Sequence, residues 1–459
     1  VAYAEVTIGS YRDPDGFIFQ TENGLFRQVN HSYATTYRHL FSSGLYQELT
    51  AAQLLVEHVE TELPALTPES WLVIQPHRIP FISYPYEWCF SQLKDAALLT
   101  IQLQQKALAQ GMSLKDASAY NVQFLHSKPI FIDTLSFELY EEGKPWAAYR
   151  QFCEHFLVPL ALMAHTDISL NRLLLSNLEG IPLHLGSKLL PWQTYTTFGL
   201  LLHVHLHAKA QVKYTAQESG SKIKQKPMSK NALLQLLDSL TSTIKSLSWN
   251  PDKTIWADYY QHTNYQTEAM RHKEGVVEQL LQKANAKTIW DLGANTGRFS
   301  QIAAKMGSQV IAMDFDIGST EIHYQQIKEE KNTAVLPLAM DLTQPSPAIG
   351  WMNKERESIF TRPKPELIMA LALVHHLAIS HNLPVSYLAS FLAGLANYLI
   401  IEFVPKSDSQ AQRLLASRKD IFTNYTQAVF EEEFSRFFQV VEKHPLDGTE
   451  RTLYLMQKR

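Results

Sequence analysis

The chain has 459 residues, 45% hydrophobic and 19% charged, with a net charge of -4. That length exceeds one ordinary core, so two or three domains are expected, and the composition is that of a globular protein able to bury large cores. No half is strongly basic, which does not favour nucleic acid as a partner, and the longest apolar runs, such as HFLVPLALMA, are too short to span a bilayer. Cys89 and Cys153 match no metal or disulfide spacing, which points to a reduced, cytoplasmic setting. The opening stretch VAYAEVTIGSYRDPDGF carries early charge and no apolar segment, so no secretory signal is expected in it.

In chain order, GFIFQ and LFRQVN alternate like hairpin strands around Glu22-Asn23-Gly24. YQELTAAQLLVEHVE has helical period, and LVIQ and IPFISYPYEW read as extended. SQLKDAALLTIQLQQKALAQ is a long amphipathic helix that Gly111 would cap. Then comes LKDASAYNVQFLHSKPIFIDTLSF, Leu114 to Phe137, whose middle reads as a second hairpin. Apolar helices follow, among them AAYRQFCEHFLVPLALMA and TTFGLLLHVHLHAKAQ. On a helix, only His203 and His207 of HVHLH align, with no carboxylate or cysteine beside them, so no metal site is expected there. RHLFSSGLYQ carries no motif, and QESGSKIKQKPMSK, Gln217 to Lys230, reads as an exposed loop. The helix NALLQLLDSLTSTIKSL ends ahead of the turn signal Asn250-Pro251-Asp252, which sets the domains at 1–248 and 249–459.

Beyond that boundary, strands alternate with helices. TIWDL, QVIAMD, TAVLPLAMD, ELIMALAL and YLIIEFVP are short apolar runs suited to buried parallel strands. The closing FFQVVEKHPLDGTERTLYLMQK reads as an antiparallel pair around Asp447-Gly448. The expected fold is α/β: a doubly wound Rossmann-like sheet with a closing antiparallel hairpin, preceded by an α+β domain.

TIWDLGANTGRFS is strand, turn and helix. Gly293 and Gly297 allow a tight turn, and Asn295 is a residue type that tolerates the left-handed region. The dinucleotide pattern G-x-G-x-x-G fails here; what stands is D-x-G-x-N-x-G. An acid on the strand before the turn suits a ligand bearing an ammonium group. Asp314 closes the next strand, where an acid can accept ribose hydroxyls. Asp341 follows the third. On these residues the segment from about Trp256 to Arg459 resembles class I S-adenosylmethionine-dependent methyltransferases. The resemblance implies that Asp291, Gly293, Ala294, Asn295 and Gly297 hold the methionyl part. It implies Asp314 with Phe315 at the ribose and Asp341 with Leu342 at the adenine. ALALVHHLAI resembles the family's fourth motif and its following loop. His375 or His376 would serve as a base if the acceptor is protonated, or the pair shapes the pocket. Glu402 reads as a sheet-end acid. Tyr259, Tyr260 and Tyr265 either cover the cofactor or belong to the core.

The segment Leu114–Phe137 places Asp116, Asn121 and Asp133 as D-x4-N, hairpin, D. In phosphotransferases the first Asp orients the acceptor hydroxyl, and the Asn and second Asp hold magnesium on the nucleotide phosphates. From about Gly16 to Leu202 the chain resembles protein kinases and small-molecule phosphotransferases in a two-lobed order. The resemblance implies ATP and Mg, with Asp116 catalytic and Asn121 and Asp133 as metal ligands. The departures are several. Leu114-Lys115 precede the loop Asp, Thr-Leu-Ser follows Asp133, and no glycine-rich loop is visible. The first lysine of the chain is Lys94, so Arg27 stands at the strand position of the phosphate-pairing lysine, with Glu48 or Glu57 as helix partner. An inert kinase fold, a ligand site without turnover and real phosphotransfer all remain open.

Together the resemblances imply a cytoplasmic bacterial enzyme that would methylate an unidentified small-molecule or protein acceptor with S-adenosylmethionine. Its kinase-like domain would bind acceptor or nucleotide. The alternatives are a bifunctional kinase-methyltransferase and a non-catalytic ligand-sensing adaptor. The joint arrangement is similar to a group of bacterial methyltransferases that includes a rhizobial nodulation protein.

Overall fold

The computed structural model describes residues 5–216, 227–251, 267–416 and 419–459. Most of the loop Gln217–Lys230 lies outside the described residues, as do Tyr259, Tyr260 and Tyr265. Among the described residues no helix is long and apolar enough to cross a membrane. Cys89 and Cys153 are buried and form no disulfide among the described residues. The chain forms two compact units: Val1–Trp249 with Ala348–Glu357, and Asn250–Pro347 with Ser358–Arg459.

The first unit opens with β1 (Glu5–Val6), β2 (Gly16–Thr21), β3 (Gly24–Asn30), β4 (His58–Thr61) and β5 (Ser70–Pro76). They form an antiparallel sheet in the order β1-β2-β3-β5-β4. Strand alternation divides its side chains. Val29 and Ile74 pack with Tyr33, Tyr37 and Leu135, while Phe19, Phe26 and Val73 form a separate cluster. The helical reading of YQELTAAQLLVEHVE is corrected: the helix Leu45–Ala51 ends, Gln53 turns with φ +55, and His58–Thr61 joins the sheet. The ladder offered by β5 outweighs the helical period of that stretch. RHLFSSGLYQ, silent in sequence, supplies the end of the helix Ala34–Ser42, and Gly44 with φ +78 separates it from the next.

The helix Phe90–Ala109 ends ahead of Gly111, whose φ is +72. The segment IPFISYPYEW is not uniformly extended, since Pro85–Glu87 form a 3-10 turn. β6 (Met112–Leu114) pairs with β9 (Phe137–Leu139), and between them β7 (Val122–Leu125) pairs with β8 (Lys128–Phe131). His126 and Ser127, at φ +52 and +60, make the tight connection a two-residue hairpin needs. The first four residues of HVHLH lie in the π-helix Leu201–Leu206, and His207 opens the helix His207–Ala216. His203 meets Tyr149 Oη at 2.7 Å and Ser239 at 2.9 Å, and His205 meets Ser187 at 2.8 Å. These are core histidines satisfied by hydroxyls. Within the same unit the segment Ala348–Glu357 is held by side chains. Glu355 accepts from Tyr11 Oη at 2.9 Å, Arg356 lies 4.2 Å from the Tyr120 ring, and the Glu357 amide donates to Tyr84 Oη at 2.7 Å.

The second unit is built on β10 (Thr288–Leu292), β11 (Gln309–Asp314), β12 (Val335–Ala339), β13 (Leu367–Ala370), β14 (Tyr398–Phe403), β15 (Phe438–Pro445) and β16 (Thr452–Lys458). Their order is β12-β11-β10-β13-β14-β16-β15. The first five are parallel, β16 enters antiparallel beside β14, and β15 closes the edge. β12 and β13 are buried at every position, as expected of strands covered on both faces. The strand order reverses between β10 and β13, which opens a crevice at their carboxyl ends.

Candidate active site

The turn after β10 is fixed by local sterics. Gly293 has φ +74, Asn295 φ +50 and Gly297 φ +81. All three lie in the left-handed region, which glycine and asparagine enter at least cost. The Gly293 and Ala294 amides donate to the Met313 carbonyl at 2.8 and 3.1 Å, which ties the turn to β11. The Asn295 amide donates to Asp314 Oδ2 at 2.8 Å, and the Asp316 amide to Oδ1 at 2.9 Å. Each carboxylate oxygen has a second lone pair, so Asp314 keeps acceptor capacity for a ligand. Burial pushes Asp314 up to about 7. Asp291 accepts from Ser300 Oγ at 2.6 Å, and burial pushes it up to about 6 despite Ser300 and Lys273. Asp341 commits one oxygen to Thr343, through its amide at 2.8 Å and its hydroxyl at 2.7 Å.

These groups line one cavity of about 390 Å³, within the range of small-molecule sites (roughly 300–1,000 Å³). Asp291, Gly293, Ala294, Asn295, Asp314, Phe315, Asp341, Leu342 and His376 all contribute to its wall. Gly297 does not line it; its place is to start the helix Arg298–Lys305 against His323. His375 does not line it either. Its ring is fully buried, with neither nitrogen hydrogen-bonded among the described residues. Of the two candidate bases, the structure brings only His376 to the cavity. Burial, with Arg451 nearby, pushes His376 down to about 4, so it is a neutral imidazole at pH 7.

Sequence reasoning missed Lys273, which lines the cavity from the helix Thr267–Ala284. The signal was an ionisable residue at helical spacing with the buried Met270, Val277 and Leu280. Glu402, read as a sheet-end acid, is its partner: Lys273 Nζ donates to Glu402 Oε2 at 2.6 Å.

In the first unit, the pairing of β6 with β9 and the hairpin between them gather Asp116, Asn121 and Asp133. Asn121 Nδ2 donates to Ser136 Oγ at 3.2 Å, and Ser136 Oγ donates to Asp133 Oδ2 at 2.6 Å. Burial, with Asp133 nearby, raises Asp116 above the ordinary carboxylate range. Arg27 binds Asp133, and also Asp13 at 2.5 Å. Lys115, beside Asp116, binds Asp15. The expected pairing of Arg27 with Glu48 or Glu57 is corrected: Glu48 binds Lys106 at 2.5 Å, and the partners of Arg27 are the two aspartates. Among the described residues no group of three or more His, Cys, Asp or Glu side chains is placed to hold a metal ion.

Fold and cavity together define a doubly wound α/β unit with a cavity of small-molecule size at its strand-order reversal, joined in sequence to an α+β unit. No family model matches the chain. It is 36% identical over 460 residues to the nodulation protein NoeA of Rhizobium meliloti (strain 1021), covering 98% of this chain and 95% of that protein. The chain belongs to the family of that nodulation protein. Among solved structures it is similar to the magnesium protoporphyrin IX methyltransferase ChlM from Synechocystis PCC 6803 with bound SAH. That likeness has a TM-score of 0.33 and 15% identity over 44% of this chain and 92% of that one. It is also similar to the bifunctional kinase-methyltransferase WbdD, with a TM-score of 0.31 and 18% identity over 47% of this chain and 45% of that one.

Proposed function

We propose that the second unit transfers a methyl group from S-adenosylmethionine to an acceptor, and that the first unit is a diverged kinase-like lobe that recognises the acceptor. The observation that carries this reading is the convergence of Asp291, Asp314, Asp341 and the Gly293–Asn295 turn on one cavity. The donor set fits the cofactor. Asp291 suits its ammonium, Asp314 its ribose hydroxyls, and the edge at Asp341 and Leu342 its adenine. When bound, the cofactor supplies a methyl group already activated on a sulfonium.

The chain's own work is then positioning and exclusion of water. Met270, Phe299, Leu373, Leu377 and Leu414 give the cavity an apolar wall. His376, neutral at pH 7, is available to take a proton from the acceptor. Two buried cysteines outside any disulfide and a rhizobial relative support the reading of a cytoplasmic bacterial enzyme.

Weighing against phosphotransfer is Arg27, seated on Asp133. A metal ligand neutralised by a buried guanidinium is a poor site for magnesium, because the cation would have to displace a charge-assisted hydrogen bond. Asp13 and Asp15 likewise occupy Arg27 and Lys115, cations that phosphates would otherwise need.

Calorimetric titration of the intact protein tests both halves. S-adenosylhomocysteine is expected to bind, and Asp291→Ala to abolish binding. ATP with magnesium is expected to give no heat. An inert S-adenosylhomocysteine titration would overturn the methyltransferase reading. ATP binding that disappears in Asn121→Ala would overturn the acceptor-lobe reading and restore the bifunctional one.

A further inference from the structure

The first unit carries a dense run of apolar side chains at its surface. Leu189, Trp192, Tyr195, Phe198, Leu202 and Leu206 are all exposed, Trp192 and Phe198 at 72%. A scattered exposed leucine needs no explanation, but a contiguous apolar patch marks an interaction site. Contiguity follows from the backbone. Phe198, Leu202 and Leu206 are four apart, and four residues overshoot one α-turn by about 40°. The wider turn of the π-helix Leu201–Leu206 takes up that drift, so the three form one stripe. His205, buried in the same π-helix, pins the neighbouring elements to it. Its ring meets Ser187 Oγ at 2.8 Å and Thr194 Oγ1 at 2.9 Å, and Tyr195 stacks on it with centroids 3.7 Å apart. Leu189 and Trp192 are each two residues from one of those contacts, so the same histidine fixes their backbone beside the stripe.

The patch is bordered by cations. Between Glu179 and Glu218 the sequence has no other Asp or Glu, and it has three lysines, Lys188, Lys209 and Lys213, in a chain whose net charge is -4. Lys188 and Lys209 are exposed, and Lys209 Nζ lies 5.7 Å from the Tyr195 ring. Thr166 Oγ1 donates to the Leu189 carbonyl at 3.2 Å, which brings Asp167 near. That carboxylate is turned onto its own loop, where it accepts from the Ser169 amide at 2.8 Å and hydroxyl at 2.5 Å. Apolar side chains that enter the headgroup boundary and cations that meet its charge are the two signals of binding to an anionic lipid surface. Trp and Tyr suit that boundary, because each joins an apolar ring to a polar atom. A second copy of the chain fits less well, since an isologous contact would set the lysine border against itself.

We propose that the face formed by Trp192, Phe198, Leu202 and Leu206, with Lys188 and Lys209 at its border, docks on the surface of an anionic lipid bilayer. It lies on the bilayer and does not span it. Docking holds the first unit, read above as the acceptor lobe, at the membrane surface.

The test is co-sedimentation of the intact protein with vesicles of phosphatidylcholine, either pure or mixed with phosphatidylglycerol. The wild type is expected to bind the mixed vesicles roughly tenfold more tightly than the pure ones, and added salt should erase that preference. Trp192→Ser with Phe198→Ser should weaken binding to mixed vesicles roughly 10- to 100-fold, the worth of withdrawing large apolar side chains from the boundary. Both residues are exposed, so the urea midpoint of that variant should stay where it is. Lys188→Gln with Lys209→Gln should remove the preference for mixed vesicles. Lipids brominated in the acyl chain should quench tryptophan emission, and Trp192→Phe should remove most of the quenching.

A wild type that stays in solution with both vesicle types would overturn the proposal. So would a Trp192→Ser, Phe198→Ser variant that binds as tightly as the wild type, since another surface would then be the one engaged. If sedimentation velocity without lipid finds a dimer that the same variant splits, the face belongs to a second copy and the lipid assignment falls.

Discussion

Replacing Gly297 with alanine tests the turn that shapes the proposed cofactor site. Gly297 has φ +81, and an added Cβ would lie closer than 3.0 Å to three atoms of the His323 ring. The left-handed conformation costs an L residue about 1–2 kcal/mol. Forcing a methyl group against a packed ring adds about 1–3 kcal/mol. Together Gly297→Ala should remove ~2–5 kcal/mol of stability. His323 has little room to yield, being 1% exposed. Truncating the ring separates the two terms. In a His323→Ala background the same substitution should cost only about 1–2 kcal/mol, giving a coupling of about 1–3 kcal/mol.

The assay is urea unfolding of the intact chain, following the transition that S-adenosylhomocysteine moves to higher urea. That shift assigns it to the second unit, and unchanged slopes keep midpoints comparable. Equal losses in both backgrounds would refute the steric argument, and no loss in either would refute the backbone argument as well.

Asp291, raised by burial from 3.8 to about 6, makes ligand affinity and stability depend on pH in opposite senses. S-adenosylhomocysteine should bind about tenfold more tightly at pH 7 than at pH 5 as the carboxylate ionises, and Asp291→Asn should flatten the profile measured by calorimetry. Because the folded value is raised, its stabilising contribution is complete below the unfolded value and is lost as pH rises through about 6. Ligand-free protein should therefore unfold at lower urea at pH 7 than at pH 4 on this account, and a rise would count against the buried placement. Arg27→Met leaves Asp133 and Asp13 uncompensated and should cost about 3–5 kcal/mol in the transition that S-adenosylhomocysteine does not move. A loss under 1 kcal/mol by urea titration would argue that these are solvated surface pairs. His376→Ala should slow methyl transfer by about 10²–10⁴-fold with little change in S-adenosylhomocysteine affinity, whereas the same change at His375 should lower stability without that selective loss of rate. An unchanged rate in His376→Ala would reduce that residue to pocket wall.

Much of the molecule is written locally in the chain. The apolar runs from TIWDL to YLIIEFVP are strands because each is short, apolar and bounded by helix or turn signals. The Gly293–Gly297 turn is legible because only a few residue types enter the left-handed region. The acids Asp291, Asp314 and Asp341 could be matched to strand ends by counting. The hairpin that carries Asn121 toward Asp133 was equally visible. What sequence could not supply was partnership. Lys273 and Glu402 are 129 positions apart, and Arg27 and Asp133 are 106 apart. No periodicity reports such a distance. The choice of His376 over its neighbour turned on which of the two rings reaches the cavity where the π-helix His376–Ser380 begins. The helical period of YQELTAAQLLVEHVE lost to a sheet edge supplied by residues further along the chain. Backbone sterics and periodic burial act over a few residues, so the sequence alone determined the elements and the turn. Charge pairing and strand addition depend on which elements meet, so only the tertiary structure decided where each charge finds its partner.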